Sequence, residues 1–300
     1  MTLRGQIKQN GKKCLYNNWG KAISIVLLGA AIYLLFTVVE AILSFLIGLG
    51  GAQIGWGWYL PGTSVLSLVL TGIMAVGFLL IYAPLQIGIA GWYWSICSGR
   101  SEDILAVFAP FSSGKLFFRS LLLSLGLMVR KLFFGILYLI VPSAALAASI
   151  WCLRFGQFEG ALFVGTMGVV LGGVLFLVAA AFYLLFCQRY FLARYYLLDG
   201  ETTAHQAVKK SVQATAGHRD QLFVFQLSYL GWMALGVLLL PLLYVVPYYE
   251  MSQLLYARFL MEQDERRNKL AVCEPSEAQV QEDCTKTREF QAQDCQTQEQ

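Results

Sequence analysis

Long runs of apolar residues alternate with short polar intervals over the first 260 positions of the chain. Between positions 22 and 99 the single charged residue is Glu40, and a Gly- and Trp-rich break, GLGGAQIGWGWYLPGT, divides this run in two. A helix needs about 20 apolar residues to cross the hydrocarbon layer of a membrane. The pattern therefore predicts two crossings, at about 22–49 and 64–92, with the aromatic residues of the break at a membrane interface.

The third crossing has two interpretations, because basic residues interrupt its apolar run. Residues 116–141 are apolar except for Arg119, Arg130 and Lys131, whereas residues 132–151 form a clean run with the basic pair at its edge. A charge at the middle of the bilayer is costly. The pattern therefore favours an interfacial helix followed by a span over one long helix that carries the basic pair within the membrane.

Residues 161–188 carry no charge and predict a fourth crossing. This run contains Gly168-x-x-x-Gly172, and small residues at this spacing allow two helices to approach closely in lipid. The general abundance of glycine in membrane helices is an alternative explanation. If the pair has a packing role, we expect it within the chain rather than in a dimer.

The last apolar segment, 221–260, holds one or two crossings. Five basic residues before the first crossing predict a cytosolic N-terminus, because cytosolic loops are enriched in Lys and Arg. The basic residues at 258–269 are cytosolic by the same rule only if the segment crosses twice, at about 221–238 and 241–260. The sequence thus predicts an all-α, polytopic transmembrane helical bundle of about six spans in the plasma membrane, with both termini cytosolic.

Two polar intervals, 101–111 and 203–216, have the pattern of amphipathic cytosolic helices. In the second, Thr203 is a suitable N-cap and Gly217 a suitable end. We expect this helix to lie on the membrane surface or against the bundle.

The chain divides into three parts by composition. A basic cytosolic segment, 1–21, precedes the transmembrane domain, 22–261, and residues 262–300 form a cytosolic tail rich in Gln, Glu and Asp. Such a tail cannot build a core and is predicted to be disordered. Three of its cysteines recur every eleven residues: Cys273, Cys284 and Cys295. A helix would place their thiols on one side, whereas in a disordered tail the spacing is coincidental.

Composition excludes a soluble domain. Hydrophobic residues make up 57% of the chain and charged residues 13%, with a mean hydropathy of +0.60. The apolar run that follows the basic start is longer than the roughly 7–15 residues of a signal peptide. The expected partners are the lipid bilayer and another membrane protein, not nucleic acid, and the oligomeric state stays open.

Recognisable catalytic motifs are absent from the sequence. It contains no His-Glu-x-x-His, no Gly-x-Ser-x-Gly and no Walker-type loop, and no aspartate lies in a predicted span. Both histidines, His205 and His218, lie in one polar interval, where solvated side chains are the favoured interpretation. We therefore expect no catalytic, cofactor or metal site, and favour a non-enzymatic protein.

Two acidic residues lie in predicted spans. Glu40 is near the outer end of the first span, where contact with water is favoured, and Glu250 is about midway along the proposed sixth. An ionisable group at that depth is a functional candidate or part of a structural ion pair. If the third helix is the long one, Arg130 or Lys131 could pair with Glu250.

Several segments resemble a family of predicted bacterial multi-pass integral membrane proteins that carries a domain-of-unknown-function name. The resemblance covers the chain to about position 260, and its most specific part is a Leu-Ser-aromatic-x-Gly-Trp block, Leu227 to Trp232. Other matching segments are Asn18-Trp19-Gly20-Lys21, Arg189 to Asp199, Ala207 to Ser211 and Val246-Pro247-Tyr248. The resemblance implies a multi-pass membrane protein and supplies no catalytic residues.

Two functional hypotheses follow. The first is a non-enzymatic accessory or scaffold component of the cell membrane, which would act through its amphipathic helices and tail. The second is a small-solute transporter or permease with Glu250 in its pathway.

Overall fold

A computed structural model describes residues 3–47, 53–54, 58–59, 65–100, 102–156, 160–199, 202–234 and 240–297. Nearly all of the described backbone is helical, which confirms the predicted all-α class. Two short strands, β1 (Gln53–Ile54) and β2 (Trp58–Tyr59), pair antiparallel between the first two long apolar helices. The side chains of the predicted aromatic belt lie outside the described residues.

Eleven α-helices and three short 3-10 turns make up this part of the chain. The α-helices are α1 (Leu3–Leu15), α2 (Trp19–Leu46), α3 (Val65–Cys97), α4 (Ala109–Ser112), α5 (Gly114–Phe155), α6 (Ala161–Cys187), α7 (Ala193–Tyr196), α8 (Ala204–Ala214), α9 (Arg219–Leu227), α10 (Leu230–Ala234) and α11 (Leu240–Thr297). The 3-10 turns are Ile104–Phe108, Gln188–Tyr190 and Leu197–Asp199.

Four helical segments among the described residues are long and apolar enough to cross a membrane. They are Trp19–Leu46, Leu68–Cys97, Gly114–Phe155 and Ala161–Tyr196, and they correspond to the first four predicted crossings. The segments predicted as the fifth and sixth crossings fall on α9, α10 and the start of α11, with a turn at 228–229. The count of six therefore stays a prediction.

The third apolar helix differs from the interpretation that the sequence favoured. Helix α5 is continuous over 42 residues and passes through Pro142, so no separate interfacial helix precedes it. At 1.5 Å per residue it is about 63 Å long, roughly twice the thickness of the hydrocarbon layer. Half of α5 is enough to cross, and a continuous helix therefore does not force Arg130 and Lys131 to mid-bilayer.

Helix α6 packs antiparallel along the C-terminal half of α5, and glycine makes this approach possible. A Cβ atom added at Gly168 would lie 2.5 Å from Ser149 Oγ, and one added at Gly172 would lie 3.1 Å from Leu146 Cδ2. Both distances are shorter than ordinary van der Waals contact. The Gly-x-x-x-Gly pair therefore packs against another helix of the same chain, as expected.

The interval at 101–111 folds onto the end of α3 and does not form one amphipathic helix. Asp103 Oδ1 accepts a hydrogen bond of 2.7 Å from the backbone N–H of Ile104 and starts the 3-10 turn. The carbonyl oxygen of Val107 occupies the place that a Cβ atom would take at Gly88 of α3. This close approach is possible because glycine has no side chain. Val107 and Pro110 are buried as a result.

Helix α8 begins and ends as the sequence predicts. Thr203 Oγ1 accepts from the backbone N–H of Gln206 at 3.4 Å, and Gln206 Oε1 accepts from the N–H of Thr203 at 3.1 Å. This capping box satisfies two donors that a helix start leaves free. Gly217, with φ of +84°, follows the helix in a left-handed conformation that favours glycine.

The small and apolar side of α8 is buried against the bundle. Ala207, Val208, Ser211 and Ala214 form this side. Ser211 Oγ donates to the carbonyl of Arg189 at 2.7 Å and accepts from the N–H of Leu192 at 3.1 Å. Helix α8 was expected on the membrane surface or against the bundle, and in the structure it packs against the bundle.

Helix α1 is fastened to α11 and to the turn between α9 and α10. Lys8 Nζ donates to Ser228 Oγ at 2.9 Å and lies 4.4 Å from the ring centroid of Tyr229. Tyr248 OH donates to the carbonyl of Lys8 at 3.2 Å. Partial burial, with a smaller effect from the nearby charge of Arg4, lowers the pKa of Lys8.

Two further contacts join the N-terminal helices to α11. The ring of Trp19 in α2 stacks on that of Tyr244 with centroids 4.6 Å apart, and a Cβ atom at Gly11 of α1 would lie 3.0 Å from Ser252 Oγ.

Residues 257–300 form a second unit, which is described here by itself. Its backbone is helical as far as Thr297, and the disorder of 262–300 stays a prediction. Gln, Glu, Lys and Ala have favourable helix propensities, so a segment that cannot form a core can still form a helix. The side chains of the three regularly spaced cysteines lie outside the described residues.

The α5–α6 contact predicts a selective effect of a larger side chain. Replacing Gly168 by Val should lower the free energy of unfolding by about 1–3 kcal/mol, because the new side chain overlaps Ser149. Gly173→Val is the matched control, since no atom lies within 4 Å of a Cβ added there. Denaturant unfolding in mixed micelles measures both, and equal losses would contradict the assigned contact.

Candidate functional site

A charged cluster forms where α7 meets α11. Arg194 Nη2 lies 3.2 Å from Glu250 Oε2, and the two side chains are only 24% and 28% exposed. The same nitrogen donates to Gln253 Oε1 at 2.8 Å and to Tyr195 OH at 2.7 Å. The guanidinium group is thus held by one carboxylate and two neutral oxygens.

The segment after α6 positions Arg194. The Gln188–Tyr190 turn ends α6, and Gln188 Nε2 donates to Gln226 Oε1 of α9 at 2.8 Å. Ser211 of α8 bonds to the backbone within this turn, at Arg189, and just after it, at Leu192. Helices α8 and α9 thus hold the segment that leads into the short helix α7, from which Arg194 contacts α11.

A cavity of about 750 Å³ adjoins the cluster. Helices α3, α5 and α6 supply most of its walls, and the turn after α6, α7, α9 and α11 supply the rest. Its polar lining includes Gln86, Lys131, Gln188, Arg194, Gln226 and Gln253. Such a concentration of amide and cationic groups between apolar helices can bind a polar group of a ligand.

The cavity lies level with the end of α6. Tyr183 OH donates to the carbonyl of Lys131 at 3.0 Å, and the rings of Phe134 and Phe186 are 4.2 Å apart. Lys131 is therefore at the height of the last turn of α6, which ends at Cys187. The start of the third crossing near residue 132 stays a prediction.

The four charged residues singled out from the sequence have different surroundings. Glu250 pairs with Arg194 and not with Arg130 or Lys131 as the long-helix interpretation suggested. Lys131 lines the cavity, whereas Arg130 is not among its lining residues. Glu40 Oε1 accepts a hydrogen bond of 2.9 Å from Thr71 Oγ1 of α3, apart from this cluster.

Arg194 and the glutamines were not predicted as site residues. In the sequence Arg194 appeared only within the Arg189 to Asp199 segment that resembles the family. Gln188 ends the apolar run 161–188 and Gln253 lies within the run 241–260, and a buried amide needs hydrogen-bond partners. That requirement was the available signal, although it does not identify the partners.

Metal binding has no visible basis in the described part of the chain. No three His, Cys, Asp or Glu side chains in it are arranged to hold a metal ion.

Comparison with known proteins gives one match. A family model described as "Protein of unknown function (DUF975)" matches residues 1–264. The resemblance to a family with a domain-of-unknown-function name is thereby confirmed. No curated protein and no solved structure matches the chain.

The Arg194–Glu250 contact predicts a coupled loss of stability. Glu250→Gln should lower the free energy of unfolding by about 1–3 kcal/mol, because it leaves a partly buried guanidinium without its carboxylate. Glu40→Gln is the control, since an amide oxygen still accepts from Thr71. In a double-mutant cycle with Arg194→Gln, denaturant unfolding should give a coupling above about 0.5 kcal/mol. Additive losses would mean that the two side chains do not interact.

Proposed function

The chain belongs to the DUF975 family, and on that premise we propose that it is a multi-pass protein of the cell membrane that binds a small solute in the cavity beside Arg194 and moves it as a permease does. The observation that carries the proposal is the cavity itself. Its volume of about 750 Å³ is within the usual range for small-molecule sites, roughly 300–1,000 Å³. Its polar groups converge from helices that are otherwise apolar, which is typical of solute sites in transporters.

The Arg194–Glu250 pair is suited to a part in transport. Arg194 lines the cavity and is bonded to Glu250 and Gln253 of α11. A solute that competes for the guanidinium group would weaken this link between α7 and α11. Binding and helix movement would then be coupled through one charged contact.

The accessory or scaffold hypothesis has less support from the geometry. It depended on the tail and on amphipathic faces that are free to bind a partner, and the second condition is not met. The apolar side of α8 is packed within the chain, and so are Val107 and Pro110 of the 101–111 interval. A stoichiometric protein partner that co-purifies in mild detergent would restore this hypothesis.

We propose four full crossings and a re-entrant segment in place of crossings five and six. The uncharged run is 221–249, and two contacts mark off the 14 residues 230–243 within it. Tyr229 and Tyr244 flank these residues, and both contact the N-terminal region, through Lys8 of α1 and Trp19 of α2. Fourteen residues are too few for two crossings and suit a re-entrant segment whose two ends lie on the side of the N-terminal region. Both termini remain cytosolic in this arrangement.

Labelling of single cysteines tests the arrangement. In a variant with the seven native cysteines replaced by Ser, Leu239→Cys should not react with a membrane-impermeant maleimide on intact cells, because a segment that re-enters from the cytosolic side does not reach the outer surface. Gly51→Cys, between the first two crossings, is the positive control, and Lys209→Cys is the cytosolic control. Labelling of Leu239→Cys as strong as that of Gly51→Cys would support six crossings.

Mass analysis of bound small molecules tests the solute site. Ser124 lines the cavity, so Ser124→Phe should remove a molecule that co-purifies with the wild-type protein. Leu125→Phe adds the same ring to α5 at a position that is 45% exposed, and should retain the molecule. Identical bound molecules in both variants would contradict the site.

Flux of that molecule into liposomes then tests movement. Glu250→Gln should abolish the flux in protein that remains folded, because the link between α7 and α11 is lost. Unchanged flux would exclude a role for Glu250 in the pathway.

A further inference from the structure

We propose that the ligand of the cavity is an amphipathic anion: one negatively charged group attached to an apolar chain. This inference rests on the proposed function and specifies its substrate class. It is carried by two features of the lining, its charge and the exposure of its apolar wall.

The charges that line the cavity are cationic. Among the described residues that line it, Lys131 and Arg194 are charged, and no carboxylate is present. Glu250 balances Arg194 from outside the lining. Lys131 forms no ion pair with any residue that the structure describes, so one positive charge is left for a ligand to neutralise.

The apolar part of the lining is open on one side. Leu132 of α5 and Leu184 of α6 line the cavity and are still 60% and 50% exposed. Both lie on segments that are apolar enough to cross a membrane, so lipid chains would surround them. An apolar chain can therefore extend from the cavity along the outer surface of α5 and α6 without contact with water.

The two features occur at the same height. Lys131 directly precedes Leu132, and both are level with the last turn of α6, where the hydrocarbon layer would end. A ligand bound here has its charge at the membrane boundary and its chain in the apolar layer. A small hydrophilic anion would leave the apolar wall unused, and a neutral amphiphile would leave the charge of Lys131 unbalanced.

Binding of a fluorescent fatty acid tests the inference. The probe is 11-(dansylamino)undecanoate, whose emission rises in an apolar site, added to the purified full-length protein in a non-ionic detergent. Lys131→Gln should weaken probe binding about tenfold, the effect of losing one charge-assisted hydrogen bond. Lys131→Arg should restore it. Arg130→Gln is the matched control, because this neighbouring cation does not line the cavity.

Competition with unlabelled compounds defines the class and source of the ligand. Dodecanoate should displace the probe, whereas dodecanol, without the charge, and acetate, without the chain, should not. Displacement by phosphatidylglycerol as well as dodecanoate would identify a membrane phospholipid as a source, and displacement by dodecanoate alone a free single-chain anion.

The outcomes separate this inference from the proposed function. If Ser124→Phe removes probe binding but Lys131→Gln does not, or if dodecanol competes as well as dodecanoate, the cavity is a ligand site and the anionic class is wrong. If Ser124→Phe and Leu125→Phe bind the probe equally, its binding is outside the cavity. The inference then fails, and the solute site depends on the mass analysis alone.

Discussion

An arginine that cannot lose its proton must keep an acceptor wherever it is partly buried, and Arg194 imposes this requirement on the second half of the chain. Its acceptors come from different elements: Tyr195 is its neighbour in α7, whereas Glu250 and Gln253 belong to α11. The position of the short helices after α6 therefore depends on that of α11. The cavity is a consequence of this arrangement, because α7 and α11 reach its lining through Arg194 and Gln253.

Small side chains allow close packing of the helices around α7 and α11. Ser211 of α8 and Ser252 of α11 are fully buried, and each hydroxyl donates to a backbone carbonyl. Gly11 of α1 faces Ser252 at a distance that leaves little space for a methyl group. Hydroxyl groups bonded in this way allow helices to approach closely without an unsatisfied polar group. Polar residues in this region thus support close packing, a role that apolar residues have in a soluble core.

The sequence was most informative where one physical requirement dominates. Length and hydrophobicity predicted α2, α3 and α6, and the Thr203 cap predicted the start of α8. Interactions between distant segments were not predictable. The partner of Glu250 is 56 residues away, in a segment outside every predicted crossing and amphipathic helix.

The continuous course of α5 has a physical reason that the apolar pattern does not reveal. The pattern favoured a separate interfacial helix before the third crossing, because charges inside a membrane are costly. Helix formation depends on backbone propensity as well as on burial. Helix α5 therefore continues through Arg130 and Lys131, where burial alone gives no reason for a helix.

The uninterrupted course of α5 has a mechanical consequence. Its C-terminal half is packed on α6 through Ser149 and Leu146, and its N-terminal half contributes Ser120 and Leu123 to the cavity wall. Pro142 lies between these two halves and removes one backbone hydrogen bond from the helix. Helix α5 nevertheless continues on both sides of it. A tilt at the α6 contact would therefore reach the cavity wall through a helix whose most deformable point is Pro142.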